Sequence, residues 1–445
     1  MNSITQNPST QSNDAEEDPL LKASMATLNL YKIRDTFYPQ NPDDKISKLQ
    51  QDSQYCLNLL DSIPPEFRKS AIQRATYEHL KGKVLDVFPD YRKEAEDHLS
   101  KAVKLNPSLT DAWLSLGNCF WKKGELVSAK NCFDRALSKG PDKNVLCQLS
   151  MLERKMAQDS DNKAELVDES IRHAKEAITL DVADGNSWSS TLIVKLFVTP
   201  VFGLPDNLGN ACLTSFFASG AWDYSKLCQS LKAYQNAEKD EMMKGNPDLY
   251  FNCATVNKYL ENYDKALNGF EAACKIDPAL NASGEIQKMV GLLDKLESLL
   301  KRHIKAKRLA SLVSSLVPVE VNLSYKKATI DLLFEGLNKS TAVTGKVLFF
   351  VKHNNVAPLY YVACDSNQMC FVLSVYGIQD YVIREGDQIT LLEPWYKNVN
   401  FSWKGKQYSF KSIRADFKEQ VMVNGKALSA NQAISTSFYA QHKPT

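Results

Sequence analysis

The feature that most constrains this chain is a set of small and aromatic residues that recurs every 34 residues. Between Thr110 and Pro141 the set reads Trp113, Leu116, Gly117, Phe120, Ala129, Phe133, Ala136 and Pro141. The preceding stretch repeats it with Gly82, Ala95, Leu99, Ala102 and Pro107, so that the two last members stand 34 residues before Ala136 and Pro141. Self-similarity at this period indicates stacked helix pairs, each of which contacts only its neighbours.

Further copies of the set follow along the chain. They include Ser170, Ala174 and Ala177; Trp188; Ser230, Tyr234 and Ala237; and Tyr250, Ala254, Ala266, Phe270, Ala273 and Pro278. Small residues let the two helices of a unit approach closely, while Trp, Tyr and Phe fill the space between units. The pattern therefore predicts at least five helix pairs.

This pattern resembles the tetratricopeptide repeat (TPR) between about residues 66 and 280. The resemblance implies a right-handed superhelix whose concave groove is lined by the first helix of each unit. Polar residues at or near its inward positions are the candidate peptide-binding set: Asn118, Lys122, Arg154, Asn210, Asp248, Asn252 and Lys258. Such a groove suits a short peptide held by charge-assisted hydrogen bonds. The alternative is that these are ordinary solvated surface groups.

One unit is interrupted. Gly209 follows Trp188 by 21 residues, whereas Gly117 follows Trp113 by four, an excess of 17 residues over 189–205. Pro200 and Pro205 break any helix that would run through this stretch. We interpret the segment as a late insertion or a gene-model error, and the alternative is a hydrophobic partner-binding loop.

After Pro278 the spacing of leucines predicts an amphipathic helix that caps the last repeat. It runs into a basic cluster: Lys301, Arg302, His303, Lys305, Lys307 and Arg308. This cluster suits an acidic partner, RNA phosphate or nuclear import, or it is a solvated helix end favoured by the helix dipole.

From about Leu316 the helical period gives way to alternation, which predicts a β-domain. Strand-like runs are 328–334, 345–352, 359–364, 369–376, 387–392 and 408–414, with a hairpin turn at 365–367. Their number and length favour an oligonucleotide/oligosaccharide-binding (OB) barrel. The organisation predicted is a disordered tail (1–19), an N-terminal helical segment (20–65), the TPR solenoid (66–282), a capping helix with a basic end (283–315) and an OB-fold domain (316–445).

OB folds bind either nucleic acid or protein. Residues 311–445 hold fourteen Lys or Arg and ten Asp or Glu, a net of +4 that is mild for a phosphate-binding domain. Five aromatics, with Lys352, Lys397 and Lys404 beside them, are candidates for base stacking: Tyr360, Tyr361, Phe371, Tyr376 and Trp403. The alternatives are that these rings form the barrel core and that the barrel docks protein.

Composition narrows the functional classes. The 54 Lys or Arg and 52 Asp or Glu leave a net charge of +2, so no global field directs the chain to nucleic acid or membrane. Ten cysteines without a Cys-x-x-Cys pair argue against zinc and a disulfide framework, and the polar N-terminus is no signal peptide. A reducing compartment, cytoplasm or nucleus, is expected. No phosphate loop, nucleophile elbow or metal-spaced histidine pair is present, so we predict a non-enzyme without cofactor or metal.

The order of parts resembles an animal family that joins TPR units to a C-terminal OB barrel. The match is carried by Leu99–Pro107, Asn207–Asn210, Asn246–Leu249 and Val423–Lys426. The resemblance implies an adaptor linked to p300-type transcription co-activator complexes in the stress response and to ribosome-bound sensing of nascent tubulin, in the cytoplasm and nucleus. It also implies peptide contacts at Arg154 and Asp248, a ribosome contact at Lys104 and effector recruitment by Lys305 and Lys307. A groove glutamate of the family aligns with Ala282, whose side chain lacks the carboxylate.

Overall fold

The computed structural model describes residues 18–185, 204–219, 223–239, 243–301, 306–320, 324–353 and 358–433. The chain separates into two compact units. The described part of the first comprises 18–156 and 172–185, and that of the second comprises 157–171 and the ranges from 204 onward. Within these ranges every helix is too short or too polar to span a lipid bilayer.

Consecutive helices of the first unit pack in pairs. They are α1 (Pro19–Thr36), α2 (Pro42–Asp61), α3 (Ala71–Leu85), α4 (Lys93–Leu105), α5 (Thr110–Lys123), α6 (Leu126–Leu137), α7 (Lys143–Met156) and α8 (Lys163–Gly185), which enters this unit at residue 172. Local sequence determines where two of these helices begin. The side chain of Asp18 caps the first turn of α1, and Ser70 with Gln73 forms a capping box at the start of α3.

Glycine sets the distance between the helices of a pair. A Cβ built on Gly82 of α3 would lie 2.6 Å from Leu99 Cγ of α4, and one on Gly117 of α5 would overlap the ring of Phe133 of α6. Leu99 and Phe133 are fully buried. The repeat spacing predicted this packing, because a side chain larger than hydrogen at the glycine would push the partner helix away.

The second unit begins with further helix pairs. Its helices are α9 (Leu204–Ala218), α10 (Tyr224–Ala237), α11 (Pro247–Tyr259), α12 (Tyr263–Ile276), α13 (Ala282–Lys301) and α14 (Ala306–Ser314). Gly209 and Tyr234 reproduce the close approach, at 2.5 Å from a built Cβ to the tyrosine ring. Pro205 is the second residue of α9, a position where proline costs no hydrogen bond. Trp188 and residues 189–203 of the predicted insertion lie outside the described residues.

The same unit ends in a β-sheet. Its strands are β1 (Lys326–Ala328), β2 (Gly336–Leu337), β3 (Thr341–Val351), β4 (Leu359–Asp365), β5 (Cys370–Val375), β6 (Gln388–Leu392), β7 (Trp395–Trp403), β8 (Lys406–Ala415), β9 (Val421–Val423) and β10 (Lys426–Ala427). The main path runs β10-β9-β6-β3-β4-β5-β8-β7-β2, and β1 pairs with β3. All of these pairings are antiparallel except β1 with β3 and β5 with β8.

The sheet curls back on itself. Strands β6 and β7 are separated only by Glu393 and Pro394, yet β6 pairs with β3 while β7 pairs with β8. The continuous stretch formed by β6 and β7 therefore pairs with both end strands of the path β3-β4-β5-β8. This is the five-strand order of an OB barrel. The prediction of TPR helices followed by an OB-type β-domain is confirmed.

Two details of the strand prediction are wrong. The run 328–334 forms a 3-10 turn at Ile330–Leu332, because the backbone N–H of Ile330 donates to the buried carboxylate of Asp365 at 2.9 Å. The strand β7 was missed; its buried residues, Tyr396, Val399 and Trp403, stand three and four positions apart and do not alternate. The hairpin at 365–367 is confirmed between β4 and β5.

The candidate base-stacking rings lie inside the domain. Side-chain exposure is 9% or less for all five: Tyr360, Tyr361, Phe371, Tyr376 and Trp403. The alternative that these rings form the core is therefore the one that their burial supports, since stacking on bases requires an accessible ring. They pack within the barrel or against the helices of the second unit.

Candidate functional site

The predicted groove residues of the first unit differ in how fully their polar groups are used. The Nζ nitrogen of Lys122 lies 3.0 Å from Asp86 Oδ2 and donates to the carbonyl oxygens of Phe88, at 2.8 Å, and of Asp86. Its three donors are thus engaged within the protein. Burial lowers the pKa of Lys122 and raises that of Asp86. In this structure Lys122 joins α5 to the end of α3.

Arg154 is half-buried on α7, and its Nη1 donates to Ser150 Oγ at 2.9 Å. The preceding residue, Glu153, is fully buried and accepts from Lys130 and from His173, each at 2.8 Å. This buried network holds the turn of α7 that carries Arg154. Asn118 is half-buried on α5, and Lys104 is exposed in the last turn of α4.

Two predicted groove residues of the second unit contact each other. Asn252 of α11 is 2% exposed, and its Nδ2 donates to Asn210 Oδ1 of α9 at 3.1 Å. The same oxygen accepts from the hydroxyl of Tyr234 at 2.6 Å. The two asparagines therefore lie side by side, as groove positions of adjacent units should.

Asp248 and Lys258 stand at opposite ends of α11. Asp248 is half-buried in the first turn, where its backbone N–H donates to Asn246 Oδ1 at 3.0 Å. Lys258 Nζ lies 2.7 Å from Glu285 Oε2 of α13. Burial alone would raise the pKa of Glu285, but hydrogen bonds from Lys258 and Lys288 hold it below its ordinary value. Glu285 is therefore an ionised, half-buried carboxylate.

Glu285 lies close in the chain to Ala282, the position at which the resemblance implies a glutamate. Ala282 is fully buried as the first residue of α13, and Glu285 follows it by about one helical turn. The start of α13 thus retains a carboxylate that faces Lys258. Of the two residues assigned to effector recruitment, Lys307 is exposed on α14 and Lys305 lies outside the described residues.

A junction between the last repeats and the barrel was missed by sequence reasoning. Arg414 of β8 is 6% exposed; its guanidinium lies 4.7 Å from the ring of Tyr259 and 4.1 Å from that of Tyr376. It also donates to the carbonyl oxygen of Tyr259, to Asp416 Oδ1 at 2.7 Å and to the hydroxyl oxygen of Tyr224 at 3.2 Å. No sequence signal identifies this, because the partners come from α10, α11 and the barrel.

The turn between α11 and α12 completes the junction. Lys397 Nζ donates to Asn262 Oδ1 at 2.7 Å and to the carbonyl oxygen of Glu261 at 3.1 Å. Glu261 has a left-handed backbone, φ 56°, and is 3% exposed. Farther along, Lys404 lies 3.2 Å from Glu271. Two of the three lysines proposed beside the stacking rings therefore contact the repeats.

The described residues contain no cluster of three or more His, Cys, Asp or Glu that could hold a metal ion. The polar groups above instead offer cations, carboxylates and amides on helix faces. This chemistry suits the recognition of a peptide with charges of both signs.

Comparison with known proteins identifies the family. A model of the tetratricopeptide repeat protein 5 OB fold domain matches residues 324–437, and a tetratricopeptide repeat model matches 110–138. Tetratricopeptide repeat protein 5 of Homo sapiens is 35% identical over 95% of this chain and 98% of its own length. The chain belongs to the tetratricopeptide repeat protein 5 family. The Mus musculus member is 36% identical over the same shares.

Members of the tetratricopeptide repeat protein 5 family share both halves of this chain, so the match covers the repeats as well as the barrel. Among solved structures the chain is similar to YrrB, described as a TPR protein with an unusual peptide-binding site, at 19% identity and a TM-score of 0.33 over 52% of this chain and 97% of that one. TPR domains bind peptides and proteins, and the chain is a protein-interaction adaptor of this family.

Proposed function

We propose that this adaptor binds the N-terminal peptide of nascent tubulin chains at the ribosome, acts in tubulin mRNA autoregulation, and also scaffolds p300-type co-activator complexes in the cytoplasm and nucleus. The observation that carries the proposal is the family relationship over 95% of the chain. It is supported by Arg154 and Asp248, the two residues that the resemblance assigns to peptide contacts. Both are half-buried polar residues on first helices of repeats.

A further support is Glu285, which places an ionised carboxylate at the start of the helix that has alanine at 282. The alternative function, direct binding of nucleic acid by the barrel, is less well supported, because the five aromatic rings proposed to stack on bases are buried.

The test is fluorescence anisotropy of a labelled tubulin N-terminal peptide with the full chain. Arg154→Ala and Asp248→Ala are each expected to weaken binding at least tenfold, as expected for loss of one charge-assisted contact of about 1.5 to 3 kcal/mol. Matched controls are Arg135→Ala and Asp134→Ala, which remove exposed charges from α6. A variant that lacks the predicted insertion, 189–205, is expected to bind as the parent does, and loss of binding would favour the alternative of a partner-binding loop.

Absence of saturable peptide binding, or equal losses in the α6 controls, would contradict the tubulin assignment. Ribosome association is measured separately, by co-sedimentation of Lys104→Glu with translating ribosomes. Binding of nucleic acid that collapses between 50 and 200 mM salt would instead favour the barrel-directed alternative.

A further inference from the structure

Tyr31 of α1 carries two cations on its ring in the first unit. The guanidinium of Arg34 lies 4.2 Å from the ring centroid, and the ammonium of Lys83 lies 5.0 Å from it. The Tyr31 hydroxyl donates to the carbonyl oxygen of Lys83 at 2.9 Å, which joins α1 to α3. These contacts hold two positive groups in a fixed place.

Lys83 lacks the acceptors that a lysine in such a place normally has. Its side chain is half-buried, and its ammonium makes no hydrogen bond within the described part of the chain. Burial lowers its pKa. Lys122 is the useful contrast, because its ammonium donates to three oxygens. Because this half-buried ammonium has no acceptor among the described residues, Lys83 is suited to receive one from outside the protein.

The neighbouring charges leave Lys83 available. Arg34 donates from Nε to Asp35 Oδ1 at 2.7 Å and from Nη2 to Asp35 Oδ2 at 3.1 Å. Its Nη1 donates to no acceptor among the described residues. Asp111 of α5 interacts electrostatically with Lys83 but forms no ion pair with it within 4.0 Å. The two cations thus stand among two carboxylates, of which Asp35 is bound by Arg34 and Asp111 lies more than 4.0 Å from the Lys83 ammonium.

Repeat geometry places Lys83 on the groove side. Gly82 and Gly117 occupy the same place in their helix pairs, since each lies against the large buried residue of its partner helix. Lys83 follows Gly82 as Asn118 follows Gly117. Asn118 is a predicted inward position, so Lys83 is its counterpart one repeat earlier.

We propose that Lys83, with Arg34 beside it, forms a carboxylate-binding subsite at the N-terminal part of the groove. The occupant is a carboxylate of the bound peptide, either an acidic side chain or the chain terminus. This assignment rests on the proposed function, because it assumes that the groove holds a peptide. It adds a contact on α1 and α3, whereas Arg154 is carried by α7.

The first test does not depend on any tubulin peptide. Lysines of the full chain are labelled as ¹³C-dimethyl-lysine, and the Lys83 resonance is assigned by its loss in Lys83→Arg. The probes are N-acetylglutamate N-methylamide for a side-chain carboxylate, N-acetylglycine for a terminal carboxylate, and N-acetylglutamine N-methylamide as the uncharged control. A saturable shift of Lys83 with one of the carboxylates is expected, without one at exposed Lys104.

A Lys83 shift that matches that of Lys104, or that appears equally with the glutamine probe, would overturn the subsite. This result is independent of whether tubulin is the ligand. Failure of the tubulin peptide to bind while Lys83 still responds to a carboxylate would refute the proposed function and leave the subsite intact.

The second test is a double-mutant cycle with the tubulin peptide. Lys83→Met keeps the length of the side chain and removes its charge, and is expected to weaken binding roughly tenfold, the effect of one charge-assisted hydrogen bond. Two peptide variants are compared, one with an acidic side chain changed to its amide and one with an amidated C-terminus. The variant that removes the contacting carboxylate should bind the parent protein with the same roughly tenfold loss of affinity. Its affinity should not fall further with Lys83→Met. Lys83→Arg should retain binding. Equal affinity of Lys83→Met and the parent for the whole peptide set would contradict the contact.

Discussion

His173 Nδ1 lies 2.8 Å from Oε2 of the fully buried Glu153, twenty residues earlier in the chain. The same pairing occurs in an earlier repeat, where His98 Nδ1 lies 2.6 Å from Glu78, again at a separation of twenty residues. In both cases a lysine completes the site, Lys130 in the first and Lys101 in the second. A buried carboxylate held by a histidine and a lysine is therefore a recurring link between helices of the first unit.

Glu153→Gln is expected to destabilise the protein by about 2 kcal/mol at pH 7, because charge-assisted hydrogen bonds become neutral ones. Burial raises the pKa of Glu153, but the hydrogen bonds from His173 and Lys130 outweigh it and hold the pKa below the ordinary 4.5. The stabilisation is thus fully present above pH 4.5 and is lost as the pH falls through the folded-state pKa. Urea unfolding at several pH values measures this.

The control for that experiment is Glu94→Gln, which changes an exposed glutamate of α4. It should leave the pH dependence of the parent unchanged, whereas Glu153→Gln should flatten it below pH 4.5. Parallel curves for Glu153→Gln and the parent would show that the buried network does not stabilise the fold.

Arg414→Met is expected to destabilise the second unit by about 3 kcal/mol, because it removes the cationic partner of Asp416 and one of the two donors to the carbonyl of Tyr259, which keeps only the Tyr376 hydroxyl. Chemical unfolding gives the free energy, and limited proteolysis between α14 and β1 reports loosening of the barrel from the repeats. Arg384→Met, at an exposed position of the same domain, is the matched control and should be neutral. Equal behaviour of the two variants would refute the importance of the junction.

Glu261→Gln is expected to stabilise the protein by about 1 kcal/mol at pH 7. Burial raises the pKa of Glu261 more than Arg414 and Lys397 lower it. A group whose pKa is raised on folding binds more protons in the folded state, so stability decreases as the pH rises from about 4.5 through the folded-state pKa. The gain should therefore shrink toward pH 4.

Thermal unfolding between pH 4 and 8 checks this prediction. Glu320→Gln, at an exposed position in the same unit, should leave the curve unchanged. A loss of stability in Glu261→Gln at pH 7 would mean that the ionised carboxylate is stabilised by its cationic neighbours and that the sign above is wrong.

Gly117→Ala is expected to cost about 2 kcal/mol, since its Cβ would overlap the buried ring of Phe133. Gly291→Ala in α13 is the matched comparison, because a Cβ there meets nothing within 4 Å. It should gain up to about 1 kcal/mol from the higher helix propensity of alanine. The unfolding free energies of the two variants should move in opposite directions, and a gain of stability in both would show that helix propensity matters and close packing at Gly117 does not.

Much of the fold was predictable from local spacing. Gly117 and Phe133, with Gly82 and Leu99 one repeat earlier, specify helix pairs, because each packing contact lies within one repeat or between neighbours. The alternation of β3 to β6 likewise predicted strands. The strand β7 escaped notice, and the run near Ile330 was misread because its conformation depends on Asp365, 35 residues away.

For the candidate site, the sequence predicted which residues belong to it but not which partners they contact. Asn210 and Asn252 do lie together, as their repeat positions indicated. The partners of Lys122 and of Lys258 did not follow from the pattern, since Asp86 and Glu285 reach them from other helices.

By itself, the sequence determined the repeat architecture, the change to a β-domain and the family to which the chain belongs. The tertiary structure decided which polar groups are engaged within the protein, as for Lys122, and which have no acceptor among the described residues, as for Lys83. It also decided that the barrel aromatics are interior and that Arg414 links β8 to Tyr259, 155 residues away. The physical reason is that periodicity records contacts between near neighbours in the chain, whereas burial and hydrogen-bond partners depend on segments brought together only on folding.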